Sequence, residues 1–132
     1  MEPCEWLGQK DKKYQLHLIS NQPKDKLHSQ LDHGKFSRSN KINGREPVFI
    51  NKKDAYKRNL KDKDLVQVYN DRGSCYASVV IDNNLRSGVV LISTGAWYDP
   101  IDPSINNSPC KNGNPNTLTP DKGTSSLAQG PI

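Results

Sequence analysis

The apolar residues of this chain fall into short, strand-length runs separated by turn-forming residues, and that segmentation confines it to a small β-rich structure. Residues 14–19, Tyr-Gln-Leu-His-Leu-Ile, alternate well enough to predict a strand with Tyr14, Leu16 and Leu18 on one face. The cluster Ser20-Asn21-Gln22-Pro23 stops it. Val48-Phe49-Ile50 reads as a short buried strand, and Asn51 can then cap a helix over 52–59. Asp54 would complete a capping box, Ala55 and Tyr56 would form the inward stripe, and Asn59 would stop the helix. A strand over 64–69 is followed by the turn Asn70-Asp71-Arg72-Gly73 and a return strand over 74–81. After a second turn at Asp82-Asn83-Asn84, the run Gly88 to Ile92 is apolar at consecutive positions, which predicts burial on both faces.

Two long polar segments do not fit the strand pattern. Residues 24–47 are rich in Lys, Ser and Asn and are expected to form a long loop, unusual in a compact domain unless it wraps a ligand. From Asp99 to Ile132 the only large apolar side chains are Ile101, Ile105, Leu118, Leu127 and Ile132, set among Pro and Gly. Such a stretch cannot offset its ordering entropy alone, so it is a mobile tail or a shell over the barrel and a bound partner. At 132 residues the chain has room for one core. It contains no apolar run of transmembrane length and no secretory signal pattern at Met1 to Trp6.

Charge is unevenly spread. Residues 1–63 hold 15 basic and 8 acidic side chains, whereas residues 64–132 hold 4 and 6. A basic half favours an anionic partner, or it is a solvated lysine-rich face. A nucleic-acid-binding β-barrel is the main rival reading, weakened by an aromatic content of 7% and by the lack of a stacking platform in the basic segment. A free-standing enzyme on a similar barrel is the second.

Two clusters carry candidate binding chemistry. One is Leu27-His28-Ser29-Gln30, after Ser20 and Pro23; the other runs from Cys110 through Asn114, Asn116 and Asp121 to Gln129 and Gly130. Asn and Gln offer donor and acceptor together, which suits the mixed edges of a pterin or purine. Backbone N–H groups in Gly-rich turns suit phosphate oxygens. These residue types also simply populate turns, and the inventory alone leaves both roles open. Among the histidines, His28 is the candidate, because it sits among hydroxyls and amides, whereas His17 reads as a strand-surface residue. No GxSxG, Walker A or GxGxxG pattern occurs. Cys75 and Cys110 have no evident activating neighbour, and three cysteines without a CxxC cannot build a four-ligand zinc site. No catalytic or metal-ligating set is complete.

Five motifs, in order, resemble one family: LISxxPxxxLHSQL (Leu18 to Leu31), REPVxIN (Arg45 to Asn51), DLVxVxNDRG (Asp64 to Gly73), GAWYDP (Gly95 to Pro100) and CKxGNPNxLTPDxGTSSLAQG (Cys110 to Gly130). Together they resemble the C-terminal domain of the dimethyl sulfoxide reductase family of molybdoenzymes, with the GAWYDP and LHSQL forms most like its trimethylamine N-oxide and biotin sulfoxide reductase branch. The resemblance implies a mainly β fold, a six-stranded double-psi β-barrel with short helices and long polar loops. It implies that residues 1–13 link to a preceding domain and that residues 14–132 bind bis(molybdopterin guanine dinucleotide).

By matched motif, the cofactor contacts implied are Ser20, His28, Ser29, Gln30, Asn114, Asn116 and Gln129, with Asp71 and Arg72 after them. Trp97 and Tyr98 are expected to pack at the domain junction, with lining of the cofactor channel as the alternative. The molybdenum ligand and the path for a small S- or N-oxide substrate would lie in the other domains of the parent enzyme, so this segment alone would not turn over. Of the compartments the branch occupies, the bacterial periplasm is favoured over the cytoplasm. Three departures bear on the site: Asn21-Gln22 replaces Pro-His, Lys63 replaces a usual glycine, and Asn112 replaces a frequent histidine.

Overall fold

The computed structural model describes residues 14–119. Its elements are β1 (His17–Ile19), α1 (Lys35–Asn40), β2 (Pro47–Ile50), α2 (Lys52–Lys57), β3 (Leu65–Tyr69), β4 (Ser74–Ile81), β5 (Val89–Ile92) and a 3₁₀ turn, Pro115–Leu118. The expected linker over 1–13, and Gln129, lie outside the described residues.

The five strands form one mixed sheet in the order β1-β5-β2-β4-β3. β1 runs parallel to β5 and β2 parallel to β4, while β2 with β5 and β3 with β4 are antiparallel. The fold is thus mainly β with short helices. Among the described residues the sheet has five strands where six were expected.

Alternation explains the core. Val66 and Val68 of β3 turn toward it, while Leu65, Gln67 and Tyr69 face away. Cys75, Ala77 and Val79 of β4 meet Val48 and Ile50 of β2 and Val90 and Ile92 of β5, with Ala55 and Leu118 closing the cluster. Each buried Val or Ile contributes about 1.5–3 kcal/mol relative to exposure, so this face carries most of the stability. In β5 the burial alternates, with Val90 and Ile92 buried and Val89 and Leu91 half-buried, so the consecutive apolar run is not evenly enclosed on both faces.

Helix α2 starts as its sequence requires: Oδ1 of Asn51 accepts from the Lys53 N–H at 2.8 Å. The capping box does not form. The carboxylate of Asp54 instead accepts from the Gly88 N–H at 2.7 Å and the Ser87 hydroxyl at 3.0 Å, tying α2 to the turn before β5. Ala55 is buried, but Tyr56 is 83% exposed, because a helix of six residues turns only one narrow stripe inward. Asn59 does end the segment, in the left-handed region at φ +55°.

Residues 24–47 are not a featureless loop. They contain α1, whose buried Ser37 donates to the Asp25 carbonyl at 2.9 Å, and a tight turn paired between Ile42 and Arg45. The described part of the last third folds back on the sheet and borrows its core. Cys110 bridges Cys75 through Tyr76 N–H to Cys110 O (2.8 Å) and Cys110 N–H to Ser74 O (3.0 Å).

Register brings all the polar segments to one end. Ile19 pairs with Leu91, Val48 with Ile92, Pro47 with Ser78 and Tyr69 with Ser74. The C-terminal ends of β1, β3 and β5 therefore lie beside the N-terminal ends of β2 and β4. Residues 20–46, the hairpin 70–73 and residues 93–119 all leave from that end, whereas α2 and the turn over 82–88 occupy the other.

Candidate functional site

The end of the sheet that carries the polar segments is built around the turn over 27–31. Gln30 N–H donates to the Leu27 carbonyl at 2.9 Å, closing the turn, and Gly34 N–H donates to the Leu31 carbonyl at 2.8 Å. His28 and Leu31 both adopt positive φ, +52° and +68°. A left-handed non-glycine residue costs about 1–2 kcal/mol, so neighbours must hold this shape.

Those neighbours are specific. Gly95, at φ +94°, approaches so closely that a Cβ there would lie 2.0 Å from the His28 carbonyl oxygen. The indole Nε1–H of Trp97 donates to the Ser29 carbonyl at 2.7 Å. The edge of β1 joins the same group, since Asn21 O accepts from the Thr94 N–H at 2.9 Å and Asn21 Oδ1 from the Ser93 hydroxyl at 2.9 Å. Gln22, the second residue of that departure, donates to the Lys26 carbonyl at 2.7 Å.

Beneath the turn lies a buried charge cluster that sequence reading missed. Oδ1 of Asp32 takes the ammonium groups of Lys26 (3.2 Å) and Lys41 (2.9 Å), and Oε1 of Glu46 takes the same two at 2.5 Å and 3.4 Å. Oδ2 of Asp32 accepts from the Trp97 N–H at 3.0 Å and from Asn112 Nδ2 at 3.1 Å. Asn112 also donates to the Trp97 carbonyl at 3.0 Å and accepts from Lys41 at 2.7 Å. Burial alone would raise the Asp32 carboxyl, but the hydrogen bond from Trp97, with those from Lys41 and Asn112, outweighs it and holds the carboxyl well below the usual range. Burial opposes the charge on Lys26 too, and Glu46 and Asp32 together still raise its pKa. Two lysines of the basic half are thus spent internally rather than offered to a polyanion.

The second group sits on the 3₁₀ turn at the same end. Asn114 is buried, and its Oδ1 accepts from the Asn116 N–H at 2.9 Å, so it caps the turn rather than facing outward. The Asn70 amide and Arg72 Nε both donate to the Leu118 carbonyl, at 2.7 and 2.9 Å, fastening the turn to the hairpin. Gly73 passes close beneath, where a Cβ would meet the Thr117 carbonyl oxygen at 2.5 Å. Asp71 accepts from the Tyr14 hydroxyl at 2.8 Å. Asp71 and Arg72 therefore both have structural work in the hairpin.

The implied contact residues divide accordingly. Ser20, His28, Ser29, Gln30 and Asn116 are exposed, and among the described residues their side chains make no hydrogen bond. The turn over 27–31 meets Gly95 through the His28 carbonyl, and Ser20 precedes Asn21, which bonds Ser93 and Thr94, while Asn114 and Asn116 stand on another segment with no direct bond to them. Trp97 and Tyr98 are each about half exposed: Trp97 packs edge-on against His33 at 4.5 Å between ring centroids, and the Tyr98 hydroxyl donates to the Ser108 carbonyl at 3.4 Å. A cavity of about 540 Å³ opens beside them, lined by His33, Arg38, Lys41 and Asn112. Cys75 offers no nucleophile, since burial pushes its thiol up to about 12 and keeps it protonated at neutral pH.

Comparison with known proteins identifies the family. Residues 16–132 match the family model described as "Molydopterin dinucleotide binding domain". The chain is 43% identical over 131 residues to a trimethylamine-N-oxide reductase of Haemophilus influenzae, covering 98% of this chain and 16% of that protein. It is 42% identical over 130 residues to a biotin sulfoxide reductase of Cereibacter sphaeroides, covering 98% and 17%. The chain therefore spans less than a fifth of the length of the curated relatives it matches. Among solved structures, acetylene hydratase from Pelobacter acetylenicus shares the fold with a TM-score of 0.65 at 17% identity, over 83% of this chain and 15% of that one. No helix among the described residues is long and apolar enough to cross a membrane. On the extent of the family match and these identities, the chain belongs to the molybdopterin dinucleotide-binding domain family.

Proposed function

We propose that this chain is the C-terminal cofactor-binding part of a molybdenum-dependent S- or N-oxide reductase and that it holds bis(molybdopterin guanine dinucleotide) against the polar end of its sheet. The observation that carries the reading is the state of His28, Ser29, Gln30 and Asn116. They are exposed polar side chains on rigidly held backbone, with no hydrogen-bond partner among the described residues. That donor set fits a pterin, whose ring edge alternates donors and acceptors as an amide does. The relatives' names supply the substrate class: trimethylamine N-oxide, dimethyl sulfoxide and biotin sulfoxide.

His28, Gln30 and Asn116 bind and orient ring edges, Ser20 and Ser29 add hydroxyls, and Asn114 acts indirectly by shaping the turn that presents Asn116. When bound, the cofactor's metal supplies the oxygen-atom transfer chemistry, while this segment supplies binding and orientation. Gln129 and the linker over 1–13 belong to the same reading. So does the six-stranded double-psi barrel, supported by the interleaved parallel pairs β1/β5 and β2/β4. The remaining domains of the parent enzyme are the expected partners, and the bacterial periplasm is the expected compartment.

Each hydrogen bond to a neutral edge contributes about 0.5–1.5 kcal/mol net, and to a charged group about 1.5–3. The test is molybdenum and guanine nucleotide content of the purified parent enzyme carrying His28→Ala and Asn116→Ala. Reduced content with an unchanged melting temperature supports the reading, and full content refutes it.

A further inference from the structure

The turn over 27–31 is bracketed by two buried, oppositely charged residues. Lys26 immediately precedes it and Asp32 immediately follows it, both are shielded from solvent, and their side chains meet at 3.2 Å. All five residues between them are exposed, including Leu27 at 58% and Leu31 at 70%. The chain thus leaves the interior at Lys26, presents five side chains outward and returns at Asp32.

We propose that Lys26 and Asp32 are positioning residues for the cofactor, a charged clasp that fixes the height and direction at which His28, Ser29 and Gln30 are presented. This rests on the reading of that turn as a cofactor contact. Stability alone does not explain such a clasp, because well-packed apolar side chains generally replace a buried ion pair at no loss or with a gain. What charges add is a fixed geometry. Each carboxylate oxygen that faces the lysines holds both ammonium groups, with Lys41 and Glu46 as the second pair. The free oxygen of Asp32 is occupied by Trp97 and Asn112. Trp97 then closes a circuit back to the turn through its indole bond to the Ser29 carbonyl, so the base of the turn and its tip are set by one residue. Gly95 adds a hard stop under the His28 carbonyl. Positioned polar groups need this kind of support, since a displacement of about 1 Å is enough to spoil a bound geometry.

The experiment uses the full-length parent enzyme loaded with bis(molybdopterin guanine dinucleotide). Lys26→Met combined with Asp32→Asn removes both charges together and leaves Lys41 facing Glu46, which protects folding. Gln30→Ala serves as the direct-contact control, and Lys26→Arg as the charge-keeping variant. Three quantities are read: the rate of cofactor release, the melting temperature of the cofactor-free protein, and hydrogen exchange at the Gln30 and Gly34 amides against that of Val79. The double variant should release cofactor about tenfold faster, as loss of a supporting contact usually does. Exchange should rise at Gln30 and Gly34 with Val79 protection unchanged, and Lys26→Arg should retain cofactor like the parent. Unchanged release in the double variant while Gln30→Ala accelerates it would overturn the clasp and leave the functional reading standing. Loss of protection at Val79 equal to that at Gln30 would also overturn it, showing a merely structural pair. If Gln30→Ala, His28→Ala and Asn116→Ala all leave release unchanged, the functional reading fails and the clasp with it.

Discussion

The backbone N–H of Trp97 donates to Oδ2 of Asp32 at 3.0 Å across 65 residues of sequence, while the other oxygen of the same carboxylate holds Lys41 at 2.9 Å. One buried side chain thereby joins the segment before β2 to the segment after β5. The turn between Lys26 and Asp32 inherits its position from that junction.

Asp32→Asn should therefore destabilise the protein by about 3 kcal/mol, because it leaves two buried ammonium groups short of a partner. The pH dependence follows from the lowered carboxyl. The unfolded chain binds a proton at the ordinary carboxylate value, near pH 4, and the folded chain only well below it, so acid favours unfolding. The stability that Asp32 contributes is complete at neutral pH and is lost as pH falls from about 4 toward the folded value. Urea midpoints of the two proteins should differ by a constant amount above that range and converge below it. A gap that persists unchanged into strong acid would contradict this assignment.

Asn114 and Asn116 stand two residues apart and should behave oppositely. Asn114→Ala removes the cap of the 3₁₀ turn and should cost about 1 kcal/mol of stability, seen in chemical unfolding. Asn116→Ala removes an exposed, unengaged amide and should change stability by less than about 0.5 kcal/mol while lowering cofactor retention in the parent enzyme. Equal stability losses in both would show that the Asn116 side chain is structural.

The sheet was legible because its signals are local. Val66 and Val68 alternate with Leu65, Gln67 and Tyr69, and Asn70 has the turn chemistry to accept from the Arg72 and Gly73 amides at 2.8 and 3.2 Å. Helix α1 was not, since Lys-Phe-Ser-Arg-Ser-Asn buries only Ser37 and shows no apolar stripe. The exposed donors His28, Ser29, Gln30 and Asn116 were accessible through motif resemblance. Asn114 looked the same in sequence, and only its short bond to the Asn116 N–H reveals a cap. The cluster of Lys26, Asp32, Lys41 and Glu46 had no sequence signal, because charged residues in a polar segment look solvated until the fold buries them. Asn112 stood out as a departure from the family pattern, but its use, three bonds to Asp32, Trp97 and Lys41, appears only in the fold.

Lys63 offers an independent check on the backbone. It lies at φ +67°, where the family usually has glycine, and its N–H donates to the Val79 carbonyl at 2.8 Å. Lys63→Gly relieves a left-handed side-chain penalty of about 1–2 kcal/mol and gives back part of that as unfolded-chain entropy, so a net gain of about 0.5 kcal/mol is expected. A higher thermal midpoint would bear this out, and a lower one would show that the lysine side chain contributes contacts of its own.

The central claim is that one end of the sheet is the cofactor face. Hydrogen exchange of the full-length parent, compared with and without bis(molybdopterin guanine dinucleotide), tests it most directly. Loading should slow exchange at residues 27–34 and 112–119 and leave α2 and the turn over 82–88 unchanged. Protection confined to that opposite end, or no change at either polar segment, would contradict the account.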